Sequence, residues 1–394
     1  MKLQYASRME GIKPSAIRSL NTNPKMIFFG GGYPDPDVFP VAALEDAFAK
    51  ALATSGKEAL QYSASIGLLK LREQITERMK REHVDCLPEN ILILQGAQQG
   101  LDLVARLFIN KGDTIITEAP TFLGAVGAFA ACEPTYETVR VDANGLDTDA
   151  LEALLQQKPD AKLLYTIPDF HNPTGVTMSL ERRKALIDIA NRYDLIILED
   201  TPYREVYFDA PPPVPLKSLD TENRVIYLGS FSKILSPGLR LGWAVASQEL
   251  IEKLTLLKLG ADTQCSTLNM TAVSYLLEDY DLDTHMMRTR AHYKKRKNKM
   301  LDAMRCELPQ DVQFTDPDGG LFTWMTFPQD FDARKFLLEC AIPEFEVGYV
   351  PGEAFYAKTP EINHARISFS TVASDLLEPG VRRLAQALKH YRNL

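Results

Sequence analysis

Ser230-Phe231-Ser232-Lys233-Ile234-Leu235-Ser236-Pro237-Gly238-Leu239-Arg240-Leu241-Gly242-Trp243 is the stretch whose reading decides the fold. It follows directly on Val225-Ile226-Tyr227-Leu228, an apolar run that reads as a buried strand. Lys233 therefore stands at the mouth of a strand, with the hydroxyls of Ser230 and Ser232 beside it and Arg240 further along the same loop. A primary amine can condense with an aldehyde, and hydroxyls with a guanidinium can hold a phosphate dianion. The set suits a covalently held aldehyde cofactor that carries a phosphate. The competing account is a surface lysine in a polar loop, the fate of most lysines.

Outward from that loop, short apolar runs alternate with helical periodicity. The runs are Ile91-Leu92-Ile93-Leu94, Thr114 to Thr117, Lys162 to Ile167, Leu195 to Leu198, Val225 to Leu228 and Gly242 to Val245. Between two of them, Ser179 can cap a helix whose stripe is Leu180, Ala185, Leu186, Ile189 and Ala190. Strands alternating with helices predict an α/β fold with a mostly parallel sheet flanked by helices. From residue 286 the character changes to a long charged helix followed by short strand-like pieces, which predicts a smaller α+β domain. The expected division is 45–285 for the large domain, and 1–44 with 286–394 for the small one.

In open parallel sheets ligands bind beyond the carboxyl ends of the strands, so those ends are read together. The first run leads into Gly96, Ala97 and Gln98 ahead of an amphipathic helix, a turn that can offer backbone N–H groups to a phosphate. After the second comes Phe122, able to stack on a flat ring or simply to fill a core. The third ends in Asn172-Pro173-Thr174-Gly175, a rigid turn whose amide can reach a phenolic oxygen. The fourth gives Asp200, a strand-end carboxylate that burial makes costly unless paired. A pyridinium N–H would pair it, and Tyr203, three residues on, could share the phenolic oxygen with Asn172. The fifth delivers Ser230 and Lys233. One cofactor, pyridoxal phosphate, uses all of these groups.

Composition excludes other classes. The 394 residues are 45% hydrophobic and 24% charged, as in an ordinary globular enzyme. A net charge of −8 argues against nucleic acid or an anionic membrane as the main partner. The one basic run, Lys294 to Lys299, reads as a solvated helix face. Cys86, Cys132, Cys265, Cys306 and Cys340 show no C-x-x-C spacing, so neither a metal site nor a disulfide framework is indicated. No apolar stretch reaches membrane-spanning length, and a cytoplasmic setting is expected.

The motifs Asn172 to Gly175, Asp200 to Tyr203 and Ser230 to Gly242 resemble those of the class I aminotransferases, the fold-type I pyridoxal-phosphate enzymes. Leu60-Gln61-Tyr62-Ser63, Leu71-Arg72-Glu73 and Arg366-Ile367-Ser368-Phe369-Ser370 extend the resemblance over nearly the whole chain. It implies that Lys233 carries the cofactor and shuttles the Cα proton, with Asp200 and Tyr203 as the other catalytic groups. It implies a phosphate site of Gly96, Ala97, Gln98, Ser230, Ser232 and Arg240. Arg366 would fork onto the substrate α-carboxylate, although a structural salt bridge is an equal account of that arginine taken alone. Tyr62 would reach the phosphate of a neighbouring subunit, making a homodimer with composite sites. Many relatives carry Tyr at the ring-stacking position, where this chain has Phe122; stacking survives and a hydroxyl contact is lost.

Pro14 to Leu20 and Ile27 to Pro34 look like the subgroup of 2-aminoadipate and kynurenine aminotransferases. That likeness makes Arg18 a candidate for an acidic substrate side chain, against a solvated helix arginine. It puts Gly32 and Tyr33 at the substrate pocket. The expected substrates are an L-amino acid and a 2-oxo acid, with 2-oxoglutarate as acceptor. Two rivals are a β-lyase on the same scaffold and, more remotely, an aminotransferase-like transcription regulator.

Overall fold

The apolar runs assemble into one eight-stranded sheet in the computed structural model, which describes residues 3–11, 20 and 25–393. In sheet order the strands are Ile91–Leu94, Gly242–Val245, Val225–Ser230, Ile196–Asp200, Leu163–Thr166, Thr114–Ala119, Thr135–Asp142 and Gly145–Leu146. Neighbours from Val225–Ser230 through Thr135–Asp142 run parallel, and Gly242–Val245 is antiparallel to both strands beside it. The runs are continuous rather than alternating because both sheet faces are covered. Along Ile91–Leu94, Ile91 and Ile93 enter one core while Leu92 and Leu94 enter the other. Helices Ala97–Phe108 and Gln248–Asp262 supply Leu101, Val104, Ile251 and Leu254 to the second core. Leu69–Arg81 and Thr267–Asp279 supply Leu71, Ile75, Met270 and Val273 to the first. Each fully buried aliphatic side chain of this kind contributes about 1.5–3 kcal/mol.

Thr135–Asp142 is absent from the sequence reading. Its side chains alternate polar with apolar near the sheet edge, and only Val139 is fully buried, so it has no apolar run to find. The helix Leu180–Arg192 begins as its sequence dictates: Ser179 Oγ accepts from Arg182 N at 3.3 Å, and Leu186, Ile189 and Ala190 face the core.

A four-stranded antiparallel sheet, Gln313–Phe314, Phe322–Thr326, His364–Ser368 and Val350–Pro351 in order, follows the 26-residue helix Leu282–Glu307. Ile27–Phe28 pairs in parallel with Val347–Gly348. The basic run departs from its expected solvated face at one position. Arg296 is only 4% exposed, donates from Nε to Phe369 O at 2.9 Å, and sets Nη1 3.1 Å from Asp35. Its guanidinium ties the long helix to the backbone just beyond the Arg366 strand, a contact that a count of charges along the helix cannot foresee.

The loop that carries Asn172 is fixed by a buried ion network. Asp169, fully buried, takes Arg183 Nη2 at 2.6 Å and Arg204 Nη1 at 3.0 Å, and Arg204 also meets Glu82 at 2.7 Å. Burial alone would push the Asp169 carboxyl upward, but the two arginines hold it below its usual range. A buried carboxylate with two arginine partners keeps its backbone where it is, because losing a partner leaves an unpaired charge.

Candidate active site

Asp200 pairs in register with Leu228, and Ser230 with Gly242, which sets Asp200, Ser230 and the turn to Lys233 together at the carboxyl ends of two neighbouring central strands. Asp200 is 3% exposed. Its Oδ2 accepts from the Tyr165 hydroxyl at 2.9 Å, while Oδ1 is buried with no partner among the described residues. Burial raises the Asp200 carboxyl to about 7; the Tyr165 hydrogen bond opposes that, and the nearby Glu118 adds to it.

Asn172 joins two of the expected residues. Its Nδ2 donates to the Tyr203 hydroxyl at 3.3 Å, and its Oδ1 accepts from Arg366 Nη1 at 2.9 Å. Arg366, 1% exposed, also donates from Nη2 to Gly30 O at 2.8 Å, and its Nε is buried without a partner among the described residues. Its guanidinium lies 4.2 Å from the centre of the Phe322 ring and 4.9 Å from that of Phe355. Among the described residues the hydrogen-bond partners of Arg366 are an amide and a carbonyl rather than a carboxylate.

Lys233 is half-buried. Its Nζ donates to Gly32 O at 2.9 Å and stands 5.7 Å from the Tyr203 ring centre. Burial first, then the charges of Arg366 and Arg240, bring its amine down to about 8. At pH 7 roughly a tenth of it is then the free, nucleophilic base, against a few parts in ten thousand for an ordinary lysine. Below about 8 the amine is protonated and inert, so capture of an added aldehyde should accelerate with pH and level off above about 8. Stopped-flow absorbance on cofactor-stripped protein mixed with pyridoxal, against Lys233→Ala as blank, measures this; a rate still climbing toward pH 10 contradicts it.

The expected phosphate group also converges. Gly96 adopts φ +74°, and a Cβ there would come within 2.8 Å of Arg240 Nη2, so glycine serves both the turn and the close approach. Arg240 Nη2 donates to Gln95 O at 3.0 Å, just ahead of the helix opened by Ala97. Ser230 Oγ accepts from Ser232 N at 3.2 Å. Gln98 directs its side-chain amide to Gly124 O at 2.7 Å, which leaves its backbone N–H in the first turn for an anion. Phe122 precedes the helix Leu123–Phe129, and Thr121 N donates to Phe355 O at 2.7 Å, linking that turn to the smaller sheet.

Of the remaining expected residues, two border the group, one stands apart and one lies outside the described residues. Gly32 touches the group, its Cα direction facing Phe322 and Arg366 Nη2. Tyr33 is exposed and joins through its carbonyl, which accepts from Ser370 Oγ at 2.6 Å. Tyr62 is 81% exposed and lines a cleft with Gln61, Ser63 and Tyr275. Arg18 lies outside the described residues. The sequence reading missed Tyr165, Phe322, Phe355 and the Gly30 carbonyl. Tyr165 carried a signal, since a hydroxyl inside the apolar run Leu163-Leu164-Tyr165 needs a buried partner.

The chemistry of these donors fits pyridoxal phosphate. The unpartnered Oδ1 of Asp200 suits a ring N–H, Lys233 offers the amine, and the Gly96–Arg240 turn leaves no room for a side chain where anion donors gather. Among the described residues no cluster of His, Cys, Asp and Glu could hold a metal, and no helix is long and apolar enough to cross a membrane.

Residues 24–384 match the family model described as aminotransferase class I and II. The aromatic-amino-acid aminotransferase 1 of Thermococcus litoralis is 39% identical, over 98% of this chain and 94% of its own. The 2-aminoadipate transaminase of Thermus thermophilus is 38% identical, over 98% and 95%. The kynurenine aminotransferase of Pyrococcus horikoshii, solved in complex with PMP, superposes with a TM-score of 0.93 at 36% identity, covering 98% of this chain and 97% of its own. Sheet topology, donor set and these likenesses agree, and the chain belongs to the class I and II aminotransferases as a fold-type I enzyme that uses pyridoxal phosphate.

Proposed function

We propose that the enzyme moves the amino group of 2-aminoadipate, an aromatic amino acid or a similar L-amino acid to a 2-oxo acid, with 2-oxoglutarate and glutamate as the working pair, by a ping-pong mechanism. The donors are taken from the activities that name the two curated relatives. Bound pyridoxal phosphate supplies an aldehyde and a ring that accepts the electron pair left when the Cα proton departs. Lys233 would hold it through Nζ, and the same Nζ, when free, would take up the substrate Cα proton and move it on. Asp200 would keep the ring N–H through Oδ1, Asn172 and Tyr203 would hold the phenolic oxygen, and Phe122 would stack on the ring. Gly96, Ala97, Gln98, Ser230, Ser232 and Arg240 hold the phosphate. Arg366 binds the α-carboxylate, Gly32 and Tyr33 border the side-chain pocket, and Arg18 meets an acidic side chain.

The observation that carries this proposal is the contact chain from Lys233 across the Tyr203 ring to Asn172 and Arg366. It ties the proton-moving amine to the carboxylate-binding fork through two side chains, which is the positioning such a reaction needs.

A homodimer belongs to the same proposal: the exposed Tyr62, beside a cleft of about 420 Å³, is supplied to the phosphate of a second copy. So does the division into 45–285 and 1–44 with 286–394, which the pairing of Ile27–Phe28 with Val347–Gly348 supports. All five cysteines are unpaired, in keeping with a reducing, cytoplasmic setting.

Absorbance of the purified protein tests the reading. A visible band should move to the near ultraviolet on addition of L-glutamate or L-2-aminoadipate and return with 2-oxoglutarate. A band that ignores these donors and the aromatic amino acids would overturn the substrate proposal. If Arg18→Ala leaves the response to the acidic donors unchanged, the role given to Arg18 goes.

A further inference from the structure

We propose that Tyr165 is a positioning residue for the cofactor ring: its phenol tethers one oxygen of Asp200 so that the other is presented to the ring nitrogen. The inference rests on the reading of Asp200 as the partner of that nitrogen and adds the residue behind it.

Tyr165 belongs to the strand Leu163–Thr166 and pairs in register with Leu198, two residues before Asp200 on the neighbouring strand. Its hydroxyl donates to Asp200 Oδ2 at 2.9 Å. Both residues are buried, Tyr165 completely, so water does not compete and the bond to the carboxylate is charge-assisted. The ring cannot swing away. It is carried by a central strand, and Phe129 packs against it edge to face with centres 5.6 Å apart. A carboxylate without a tether can turn about its Cβ–Cγ bond and present either oxygen. With Oδ2 held, the plane is set, and Oδ1 is the atom left buried and unpartnered.

The same bond counters its surroundings electrostatically. Three titratable groups face Asp200: Tyr165 from its own strand, Glu118 from the end of Thr114–Ala119, and Tyr203 from the turn after Asp200. Glu118 is itself buried and fixed by the Thr166 hydroxyl at 2.7 Å and the Ile167 amide at 2.9 Å, with His171 Nε2 3.1 Å away. Burial and Glu118 both favour a protonated Asp200; the Tyr165 hydroxyl favours the carboxylate. A carboxylate is what keeps a ring nitrogen protonated.

Tyr165→Phe removes one oxygen and keeps the ring against Phe129. In the holoenzyme the pH midpoint of the visible band should rise by about half to one unit. The more basic Asp200 draws the shared proton from the ring, the ring withdraws less charge, and the nitrogen of Lys233 holds its own proton to higher pH. The dissociation constant for pyridoxal phosphate should rise on the order of tenfold. Tyr227→Phe is the control: it removes a buried phenol that bonds Thr201 rather than Asp200, and both quantities should stay at wild-type values. A midpoint and affinity unchanged in Tyr165→Phe would overturn the proposal, and so would an equal shift in Tyr227→Phe, which would mark general loosening. A wild-type protein with no titrating visible band would instead remove the reading of Lys233 and Asp200, and this inference with it.

Discussion

Lys233→Ala is expected to lower kcat by on the order of 10⁴-fold or more while the protein still takes up pyridoxal phosphate. Two losses combine in the one substitution. The amine proposed to receive and return the Cα proton goes, and positioned acid–base groups contribute about 10²–10⁴-fold. The covalent attachment goes with it, so the substrate amine must meet a free aldehyde instead of an activated one. The binding groups stay. Ser230 keeps its contact with Ser232, Arg240 its place over Gly96, and Asp200 its open Oδ1, none of which depends on Nζ. The bond that disappears, Nζ to Gly32 O at 2.9 Å, is a single hydrogen bond made by a half-buried side chain, so folding is expected to be retained. The measurement is single-turnover absorbance with saturating cofactor, repeated with added methylamine. Partial recovery with the amine would mark proton transfer as the missing function; a kcat within tenfold of wild type would end the assignment of Lys233.

How far the sequence speaks depends on what each residue packs against. The strands buried on both faces, such as Ile91–Leu94 and Val225–Ser230, announce themselves as apolar runs because each side of the sheet needs a hydrophobic partner. The residues that follow those runs inherit their position from the strands, so Asp200, Asn172 and Lys233 were readable as one group before any contact was seen. Thr135–Asp142 was not readable, since a strand next to the sheet edge needs apolar side chains only where it meets the core. Arg296 shows the same limit on a helix: its burial is decided by Phe369 and Asp35, distant in sequence. Long-range pairings around the site were equally silent. The Gly30 carbonyl beneath Arg366 is 336 residues away from it, and no local pattern encodes that approach. Tyr165 lies between these cases, because its hydroxyl required a buried partner but the sequence did not say which.

Arg366→Lys is expected to cost about 10²–10³-fold in kcat/KM for the amino acid and for the 2-oxo acid alike. The guanidinium is committed on one side: Nη1 to Asn172 Oδ1 and Nη2 to Gly30 O, with Phe322 and Phe355 bounding its faces. These contacts fix the plane of the fork, so the edge carrying the unpartnered Nε is offered to a ligand. An ammonium has neither the plane nor the second donor in register, and it would have to choose between Asn172 and the substrate. Breaking one side of a buried, hydrogen-bonded charge pair costs about 2–5 kcal/mol, which brackets the expected loss. Burial brings the arginine down to about 10, so the wild-type guanidinium is still protonated at neutral pH. Because both substrates carry the same α-carboxylate, their KM values should rise together while the visible band and cofactor affinity hold. A rise for the acidic donors alone would move Arg366 from the shared carboxylate to side-chain recognition. A fall in kcat with KM unchanged would show instead that the substitution acts through Asn172 and Tyr203 on the proton transfer, since those two are the residues the arginine reaches on the side of Lys233.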